Sequence, residues 1–246
     1  MPYPIWQLAV HPSDRASASS SVIAEGLLVW TGGAVFVASL AATVYVYAVT
    51  WSDARPGRLD RPAALAADAV LIALFASHHS LFARDVVKSW LAQYVPPHLL
   101  RSVYVWVASL LWLTVIAGWQ RVGGLLFQTT VLLTLVQLIG VVLIWRSVRA
   151  IDPLELAGIR PADVSKGGLQ AHGPYRWVRH PLYLGWVLIV FGAARMTGDR
   201  LAFAAMTSAY LIVAIPWEER SLERSFGEAY RRYKAEVRWR LVPFLY

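Results

Sequence analysis

The first long apolar stretch of the chain, residues 27–49, reads LLVWTGGAVFVASLAATVYVYAV. It carries no charged side chain over its 23 residues, and about 20 apolar residues suffice for a helix to cross the hydrocarbon core of a bilayer. A helix satisfies all of its backbone hydrogen bonds within one segment, which lipid requires of any spanning element. The stretch therefore predicts a membrane-spanning helix.

Further apolar stretches follow at about residues 63–83, 103–122, 125–145, 181–196 and 201–217. The last two are short and are separated by a tight turn at residues 197–199, which predicts a C-terminal helical hairpin whose arms need not span fully. We expect an all-α integral membrane protein with five to six transmembrane helices. Its single domain, residues 1–246, consists of a four-helix part (1–145) and a C-terminal part (146–246).

The composition supports a membrane protein and excludes several kinds of site. Hydrophobic residues make up 57% of the chain and charged residues 15%, whereas an ordinary soluble domain carries about 25% charge. The absence of cysteine excludes disulfides and Cys-ligated metals. A net charge of +8 would suit nucleic acid, but the basic residues flank the apolar stretches. We therefore expect membrane lipids as partners and no nucleic acid.

Lysine and arginine are distributed unevenly between the two predicted sides of the membrane. The side with the N-terminus, the loop after the second stretch, the long loop 146–180 and the C-terminal tail holds 17 of them, and the other side holds 6. Loops rich in basic residues stay in the cytosol. We expect a bacterial inner-membrane protein whose C-terminus and long loop face the cytosol.

The densest polar motif, GPYRWVRHPLYLG at residues 173–185, lies where the fifth stretch enters the membrane. Charged side chains at such a position are costly unless they have a partner or a function. One interpretation is a basic anchor at the membrane interface. In the other, Pro181 begins a helix and His180, just outside it, faces a ligand.

A second motif is the pair of adjacent carboxylates Glu218 and Glu219, which follow the sixth stretch. They could form a negative cap at a helix start, or they could accept hydrogen bonds from the ribose or amine of a cofactor. The tail beyond them is predicted to be an amphipathic helix in the cytosol, because apolar side chains recur at helical spacing. These are Leu222, Phe226, Tyr230, Tyr233 and Val237.

A third motif, SHHSLFAR at residues 77–84, ends the second stretch. Adjacent histidines lie about 100° apart on a helix, so His78 and His79 do not readily bind one metal ion, and we predict no metal site. A hydrogen bond between helices is the alternative interpretation. Arg101 and Tyr104 begin the third stretch on the same side, so all three motifs are expected at one membrane face.

The C-terminal motifs, over about the last 75 residues, resemble the isoprenylcysteine carboxyl methyltransferase superfamily, which includes phospholipid N-methyltransferases and NnrU-like proteins. The matching residues are Gly173-Pro174-Tyr175-Arg176, Arg179-His180-Pro181-x-Tyr183-x-Gly185 and Glu218-Glu219-x-x-Leu222-x-x-x-Phe226-Gly227. The resemblance implies a helical membrane enzyme that uses S-adenosylmethionine. It implies a cofactor site formed by Tyr175, Arg179, His180, Pro181, Tyr183, Gly185, Glu218 and Glu219.

Shorter motifs resemble the branch of methanethiol S-methyltransferases. They are His79-Ser80-x-x-Ala83-Arg84, Arg101-Ser102-x-Tyr104-Val105, Asp152-Pro153-x-Glu155-Leu156-x-Gly158 and Met196-Thr197-Gly198. The resemblance implies a small thiol as acceptor, with S-adenosylhomocysteine as the product formed from the cofactor. A thiol must lose its proton before it attacks, and His79 and Arg84 are the candidates to promote this step. His78, Arg101 and Tyr104 are the candidates to bind the acceptor.

Other functions stay open at this point. The acceptor could be the carboxylate of a prenylated cysteine or the amine of a lipid, both of them lipid-soluble. A non-enzymatic NnrU-like membrane protein is a further alternative. A small channel or transporter is disfavoured, because such proteins place polar groups at mid-membrane, and Asp68 is the main such group in the predicted spans.

The orientation is testable with a reporter fused after Tyr246. We expect activity from a reporter that works in the cytosol and none from one that works only outside the inner membrane, because of the distribution of basic residues. The reciprocal pattern, with the external reporter alone active, would reverse the orientation.

Overall fold

The computed structural model describes residues 12–82, 84–129, 131–151, 153–160 and 169–246. In chain order its elements are α1 (Pro12–Ala48), α2 (Arg61–Phe82), α3 (Asp85–Leu91), α4 (Leu100–Gly118), β1 (Leu125–Gln128), α5 (Val131–Val148), α6 (Pro153–Leu156), α7 (Pro181–Phe191), β2 (Arg195–Thr197), α8 (Gly198–Phe226) and α9 (Glu228–Glu236). Short 3-10 turns lie at Thr50–Ser52, Pro97–Leu99 and Gly173–Arg176.

Helices dominate the architecture, and several are suited to a bilayer. Four are long and apolar enough to cross a membrane by length and composition: Val22–Ser52, Arg61–Phe82, Pro97–Gly118 and Gly198–Phe226. Leu132–Val148 and Pro181–Phe191 are shorter apolar helices. Large apolar side chains such as Val44, Val70 and Leu138 point outward from these helices. Such extensive exposed apolar surface is typical of contact with lipid.

Small residues bring α5 and α7 together. Gly185 of α7 faces Gly140 of α5, and a Cβ atom at Gly185 would lie 2.6 Å from Cγ1 of Ile144. Glycine at such a contact lets two helix backbones approach closely in a membrane. The packing of these two shorter helices therefore requires Gly185 to lack a side chain.

The interior between α1, α4, α7 and α8 is rich in aromatic rings. Phe203 is fully buried, and its ring centroid lies 4.8 Å from that of Trp51, which in turn lies 4.6 Å from that of Trp119. Trp112 and Trp186 also pack against Phe203. Aromatic side chains provide large contact areas with offset or edge geometry, so this cluster joins helices that are distant in sequence.

The fold is not entirely helical. β1 and β2 pair in antiparallel fashion, with Leu125 opposite Thr197 and Gln128 opposite Arg195. The predicted fourth stretch therefore begins with a strand, and its helix starts only at Val131. Hydropathy cannot distinguish a short apolar strand from part of a helix. The positive φ angles of Gly123 and Gly124 turn the chain into β1.

Other helix boundaries also differ from those predicted from the sequence. The helix of the third stretch begins at Leu100 and ends at Gly118, and that of the fifth ends at Phe191. The two arms of the predicted hairpin are joined through β2 rather than by a tight turn at 197–199. Thr197 is the N-cap of α8, since its hydroxyl accepts a hydrogen bond from the Arg200 backbone N–H at 3.3 Å.

The C-terminal segment forms two helices where the sequence predicted one tail helix. α8 continues without interruption past Glu218 and Glu219 to Phe226, and α9 begins after Gly227, which has a φ angle of +53°. The glycine permits a backbone conformation that other residues rarely adopt. The apolar stripe still packs as one cluster around Tyr230, Tyr233 and Val237. The two carboxylates lie inside a helix, which excludes the helix-start interpretation.

A buried polar cluster lies at the end of the helices opposite the three motifs. Asp199 Oδ1 accepts hydrogen bonds from Trp119 Nε1 at 3.0 Å and from the Val122 backbone N–H at 2.9 Å, and its Oδ2 accepts one from the Gly123 backbone N–H at 3.2 Å. Next to it, Arg200 donates to backbone carbonyls of α1 and of Arg195. These bonds link α1, the end of α4 and the start of α8.

Replacing Asp199 by alanine should destabilise the protein by about 3–5 kcal/mol, because three buried donors would lose their acceptor. Thermal unfolding in detergent measures the effect. Asp53→Ala is the control, since its carboxylate is 37% exposed and pairs with Arg55 and Arg121, and it should cost less than about 1 kcal/mol. Equal losses for the two variants would contradict the role given to Asp199.

Candidate active site

The chain just before α7 pairs with the C-terminal segment. The backbone N–H of Arg179 donates to the Trp239 carbonyl and that of His180 donates to the Arg240 carbonyl, both at 2.9 Å. Pro181 starts α7 and cannot donate a hydrogen bond itself, so the pairing ends there. The predicted His-Pro motif is thus held against the last residues of the protein.

Glu219 lies at the centre of a buried ionic cluster. Its Oε1 accepts a hydrogen bond from Arg179 Nε at 2.7 Å and lies 3.4 Å from His180 Nε2. Its Oε2 accepts one from Arg240 Nε at 3.2 Å. Only 4% of the Glu219 side chain is exposed. Both oxygens are therefore occupied by the protein, and Glu219 serves to hold the surrounding segments.

Arg179 joins α8 to the C-terminal segment. Besides its bond to Glu219, its Nη1 donates to the carbonyls of Val237 and Arg238 at 2.7 and 2.8 Å. An arginine side chain presents several donors in a fixed planar arrangement, and Arg179 uses it to satisfy groups from two segments at once. Its side chain is 7% exposed.

Glu218 differs from its neighbour in being partly exposed. Its Oε2 accepts a hydrogen bond from Tyr183 Oη at 2.7 Å and lies 3.7 Å from His180 Nδ1. The side chain is 41% exposed, and Oε1 has no hydrogen-bond partner within the described residues. The ring of Tyr183 stacks on that of His180, at a centroid distance of 5.4 Å. Glu218 is thus a fixed carboxylate with one available oxygen.

Tyrosines from the C-terminal part surround these carboxylates. Tyr230 is 1% exposed, and its hydroxyl has no hydrogen-bond partner among the residues that the structure describes. Burial, together with the negative charge of Glu219, raises the pKa of Tyr230, which keeps the hydroxyl protonated. Burial likewise raises the pKa of Tyr175 to about 12, and the Tyr175 carbonyl accepts a hydrogen bond from Tyr233 Oη at 2.8 Å.

The histidines of α2 contact the start of α4. Tyr104 Oη hydrogen-bonds with His79 Nδ1. The His78 ring stacks on that of Tyr104 at 5.7 Å, and the Arg101 guanidinium lies 5.7 Å from the centre of the same ring. Both ring nitrogens of His78 are buried without a hydrogen-bond partner within the described part of the chain. An imidazole without partners is available to a bound molecule.

Tyr210 of α8 lies between the histidines of α2 and the carboxylate of Glu218. Its ring packs edge-on against that of His79, at a centroid distance of 6.1 Å. Tyr210 precedes Glu218 by eight residues on α8, which places the two side chains about 80° apart around the helix. It also interacts electrostatically with Tyr183 and Glu218. The histidines of α2 therefore border the side of α8 that carries Glu218.

Two of the predicted site residues lie elsewhere. Arg84 is exposed at the start of α3, and no hydrogen bond or ion pair within the described residues joins it to His78 or His79. Gly185 packs against α5 and is not among the residues that surround the carboxylates. Hydropathy and spacing cannot show which face of a helix is used for packing. Ala83 and Asp152, which belong to the sequence motifs, lie outside the described residues.

Three residues of the candidate site are not predicted by the sequence. Arg240 is a single basic residue in the tail, Tyr210 belongs to an apolar stretch, and Tyr230 belongs to the apolar stripe. Nothing in the local sequence distinguishes Tyr210 from the other residues of that apolar stretch. Nothing local distinguishes Arg240 from the other basic residues of the tail, because its role depends on the fold bringing it to Glu219.

The sequence of this chain is similar to those of several known proteins. The profile of the phospholipid methyltransferase family matches residues 129–229. Methanethiol S-methyltransferase 1 of Bradyrhizobium diazoefficiens is 36% identical over 187 residues, 71% of this chain and 65% of that protein. The methanethiol S-methyltransferase of Mycobacterium tuberculosis is 34% identical over 186 residues, 71% of this chain and 76% of that protein. No solved structure matches the chain.

The helical fold and these matches define a membrane methyltransferase. The chain belongs to the family of the methanethiol S-methyltransferases, within the wider group of phospholipid and isoprenylcysteine methyltransferases. Protein-S-isoprenylcysteine O-methyltransferase A of Arabidopsis thaliana is 36% identical over 73 residues, 28% of this chain and 37% of that protein.

The two adjacent glutamates should respond differently to the same substitution. Glu219→Gln removes the charge that balances Arg179 and Arg240 and should lower the stability by about 3–5 kcal/mol, since it leaves a buried cation unpaired. Glu218→Gln should cost less than about 1 kcal/mol, because the side chain is partly exposed and has one hydrogen bond. Thermal unfolding of both variants in the same detergent measures the difference. Similar losses for both would contradict the division of roles.

Proposed function

We propose that this protein transfers a methyl group from S-adenosylmethionine to a small thiol such as methanethiol. The observation that carries the proposal is the pair Glu218 and Tyr183, a fixed carboxylate with an available oxygen that lies beside the histidines and tyrosines of α2, α4 and α8. The names of its relatives support the choice of thiol.

The residues around Glu218 suit a ligand that carries positive charge and hydroxyl groups. The carboxylate can accept a hydrogen bond from an ammonium group or a ribose hydroxyl, which is a charge-assisted bond. The unpartnered Tyr230 hydroxyl can donate to a carboxylate or a ring nitrogen. We assign the cofactor to Tyr175, His180, Tyr183, Glu218 and Tyr230. Arg179, Pro181 and Glu219 position these side chains.

S-adenosylmethionine supplies a methyl group on a sulfonium, which is already a good leaving group, so the protein needs to align the acceptor and exclude water. The acceptor thiol must first lose its proton. We propose the tautomer in which Nδ1–H of His79 donates to Tyr104 Oη, so that Nε2 of His79 is unprotonated and accepts the proton. When bound, S-adenosylmethionine would supply the methyl carbon that this thiolate attacks, and its sulfonium would keep the electrons of the broken bond.

His78, Arg101 and Tyr104 are proposed to shape the acceptor pocket. The unpartnered nitrogens of His78 can hydrogen-bond with a thiol or thiolate, and Arg101 provides positive charge nearby. Positive charge near a thiol lowers its pKa and favours the thiolate. Arg84 has no part in this proposal, because its side chain is exposed at α3. We further propose that the site faces the cytosol of a bacterial inner membrane, where the cofactor is made.

A second candidate acceptor is the carboxylate of a prenylated cysteine. It is favoured by the similarity of part of the chain to the Arabidopsis isoprenylcysteine enzyme. A carboxylate is already ionised near neutral pH, so its methylation would not need His79 as a base. The effect of replacing His79 on the reaction rate therefore distinguishes a thiol acceptor from a carboxylate acceptor.

The proposal is tested with purified protein, S-adenosylmethionine labelled in the methyl group, and three acceptors: methanethiol, a prenylated cysteine and phosphatidylethanolamine. We expect labelled product from methanethiol. His79→Ala should lower the rate by about 10²–10⁴-fold with unchanged cofactor affinity, as expected for loss of a general base. Glu218→Gln should weaken binding of S-adenosylhomocysteine by about ten- to a hundred-fold, from loss of a charge-assisted hydrogen bond.

His98→Ala is the matched control, since the His98 side chain is 55% exposed and pairs with Glu25 rather than with a residue of the candidate site. It should retain both the rate and the affinity. Labelled product from the prenylated cysteine alone, with a rate that does not depend on His79, would establish the second candidate. Absence of cofactor binding at millimolar concentration in calorimetry would reject both.

A further inference from the structure

An open groove of about 520 Å³ lies where α8 leaves its apolar part and α9 packs against it. It is lined by Trp217, Arg220, Glu223, Arg224 and Arg231. We propose that this groove binds the headgroup of an anionic phospholipid, with the phosphate between the arginines. The groove is separate from the candidate active site, and the inference does not depend on the proposed methyl transfer.

The residues of α8 that border the groove lie along one face of the helix, in the direction in which a lipid molecule would lie. Val213, Trp217, Arg220 and Arg224 follow one another at intervals of four, three and four residues, which places them on one face of α8. Val213 and Trp217 are 58% and 57% exposed. At 1.5 Å per residue, Val213 and Arg224 are about 16 Å apart along the helix. The face thus changes from apolar to basic over a length comparable to that from a lipid's acyl chains to its phosphate.

Trp217 marks the level of the interface between lipid and water. It comes at the end of the apolar part of a candidate membrane span, and tryptophan is enriched at such levels because its ring is apolar and its N–H is polar. The arginines lie one and two turns beyond it, at the depth of the headgroups. Arginine is also well suited to phosphate, with which it forms paired hydrogen bonds.

The charges of the groove favour an anion. Arg220 and Arg224 are both exposed, and the guanidinium of Arg220 is in no hydrogen bond or ion pair within the described residues. Glu223 is the acidic side chain of the groove, and it is already bonded to Arg231 at 3.0 Å and to Lys234 at 3.2 Å. Basic residues thus outnumber the single carboxylate. The negative surface of the cytosolic leaflet would attract such a site.

The active-site carboxylates lie on other faces of the same helix. Successive residues are rotated by about 100°, so Glu218 and Glu219 point away from the line through Trp217 and Arg224. A lipid in the groove would therefore not block Glu218. It would instead hold the end of α8, on which both glutamates lie, at a set depth in the membrane.

Binding is measured with the full chain in neutral detergent, titrated with a short-chain phosphatidylglycerol and, separately, with the matching phosphatidylcholine. We expect the phosphatidylglycerol to bind and to raise the melting temperature, and the phosphatidylcholine to do neither. The double variant R220Q/R224Q should weaken phosphatidylglycerol binding by about ten- to thirty-fold, since each basic residue contributes about 1 kcal/mol to attraction by anionic lipid.

The control double variant R58Q/R232Q removes the same net charge from exposed positions outside the groove and should bind phosphatidylglycerol like the unaltered protein. Circular dichroism of both variants verifies that they are folded. Equal binding of the two lipids, or equal loss in the two double variants, would overturn the proposal. Competition by inorganic phosphate at concentrations similar to those of phosphatidylglycerol would show a site for free phosphate and overturn the assignment to lipid.

Discussion

The ion pair between Arg179 and Glu219 is the interaction on which the C-terminal part of this protein depends. It is buried, and breaking a buried pair leaves an uncompensated charge in a region of low dielectric constant. Through it, the loop before α7 is held to the middle of α8. The further bonds of Arg179 to the carbonyls of Val237 and Arg238 add the last residues of the chain. Three segments distant in sequence thus meet around one carboxylate.

This arrangement explains why two adjacent glutamates have different environments. Their side chains diverge by about 100° around α8. Glu219 therefore turns toward the arginines, while Glu218 turns toward Tyr183 and the opening of the site. The buried charge of one glutamate is neutralised by the protein, and the charge of the other is partly exposed. The bonds of Glu219 fix the position of the helix that also carries Glu218.

The opposite end of the helices is also held by a buried carboxylate, that of Asp199, but no part of this polar cluster is exposed. Asp199 and Arg200 satisfy backbone groups of α1 and of the segments that end α4 and begin α8. A buried carboxylate with several donors is stabilising only while all the donors are present. The helices are therefore tied together at one end by a closed polar cluster. At the other end, Oε1 of Glu218, both ring nitrogens of His78 and the Tyr230 hydroxyl have no hydrogen-bond partner among the described residues.

Much of the helical content and most residues of the candidate site could be named from the sequence, because hydropathy and local motifs are properties of short segments. The apolar stretches indicated the membrane helices, and the motifs around His180 and Glu218 indicated residues that do meet in space. The two strands could not be predicted, since an apolar strand such as Leu125–Gln128 has the same hydropathy as the start of a helix.

Only the tertiary structure decided how the residues divide their roles. The sequence by itself determined that two carboxylates, two histidines and several arginines lie near the ends of apolar segments. It could not show that Glu219 is enclosed while Glu218 is open, that Gly185 is used for packing, or that Arg240 reaches Glu219. Each of these depends on the side of a helix that faces its neighbours and on contacts between distant segments, and such contacts exist only once the helices have packed.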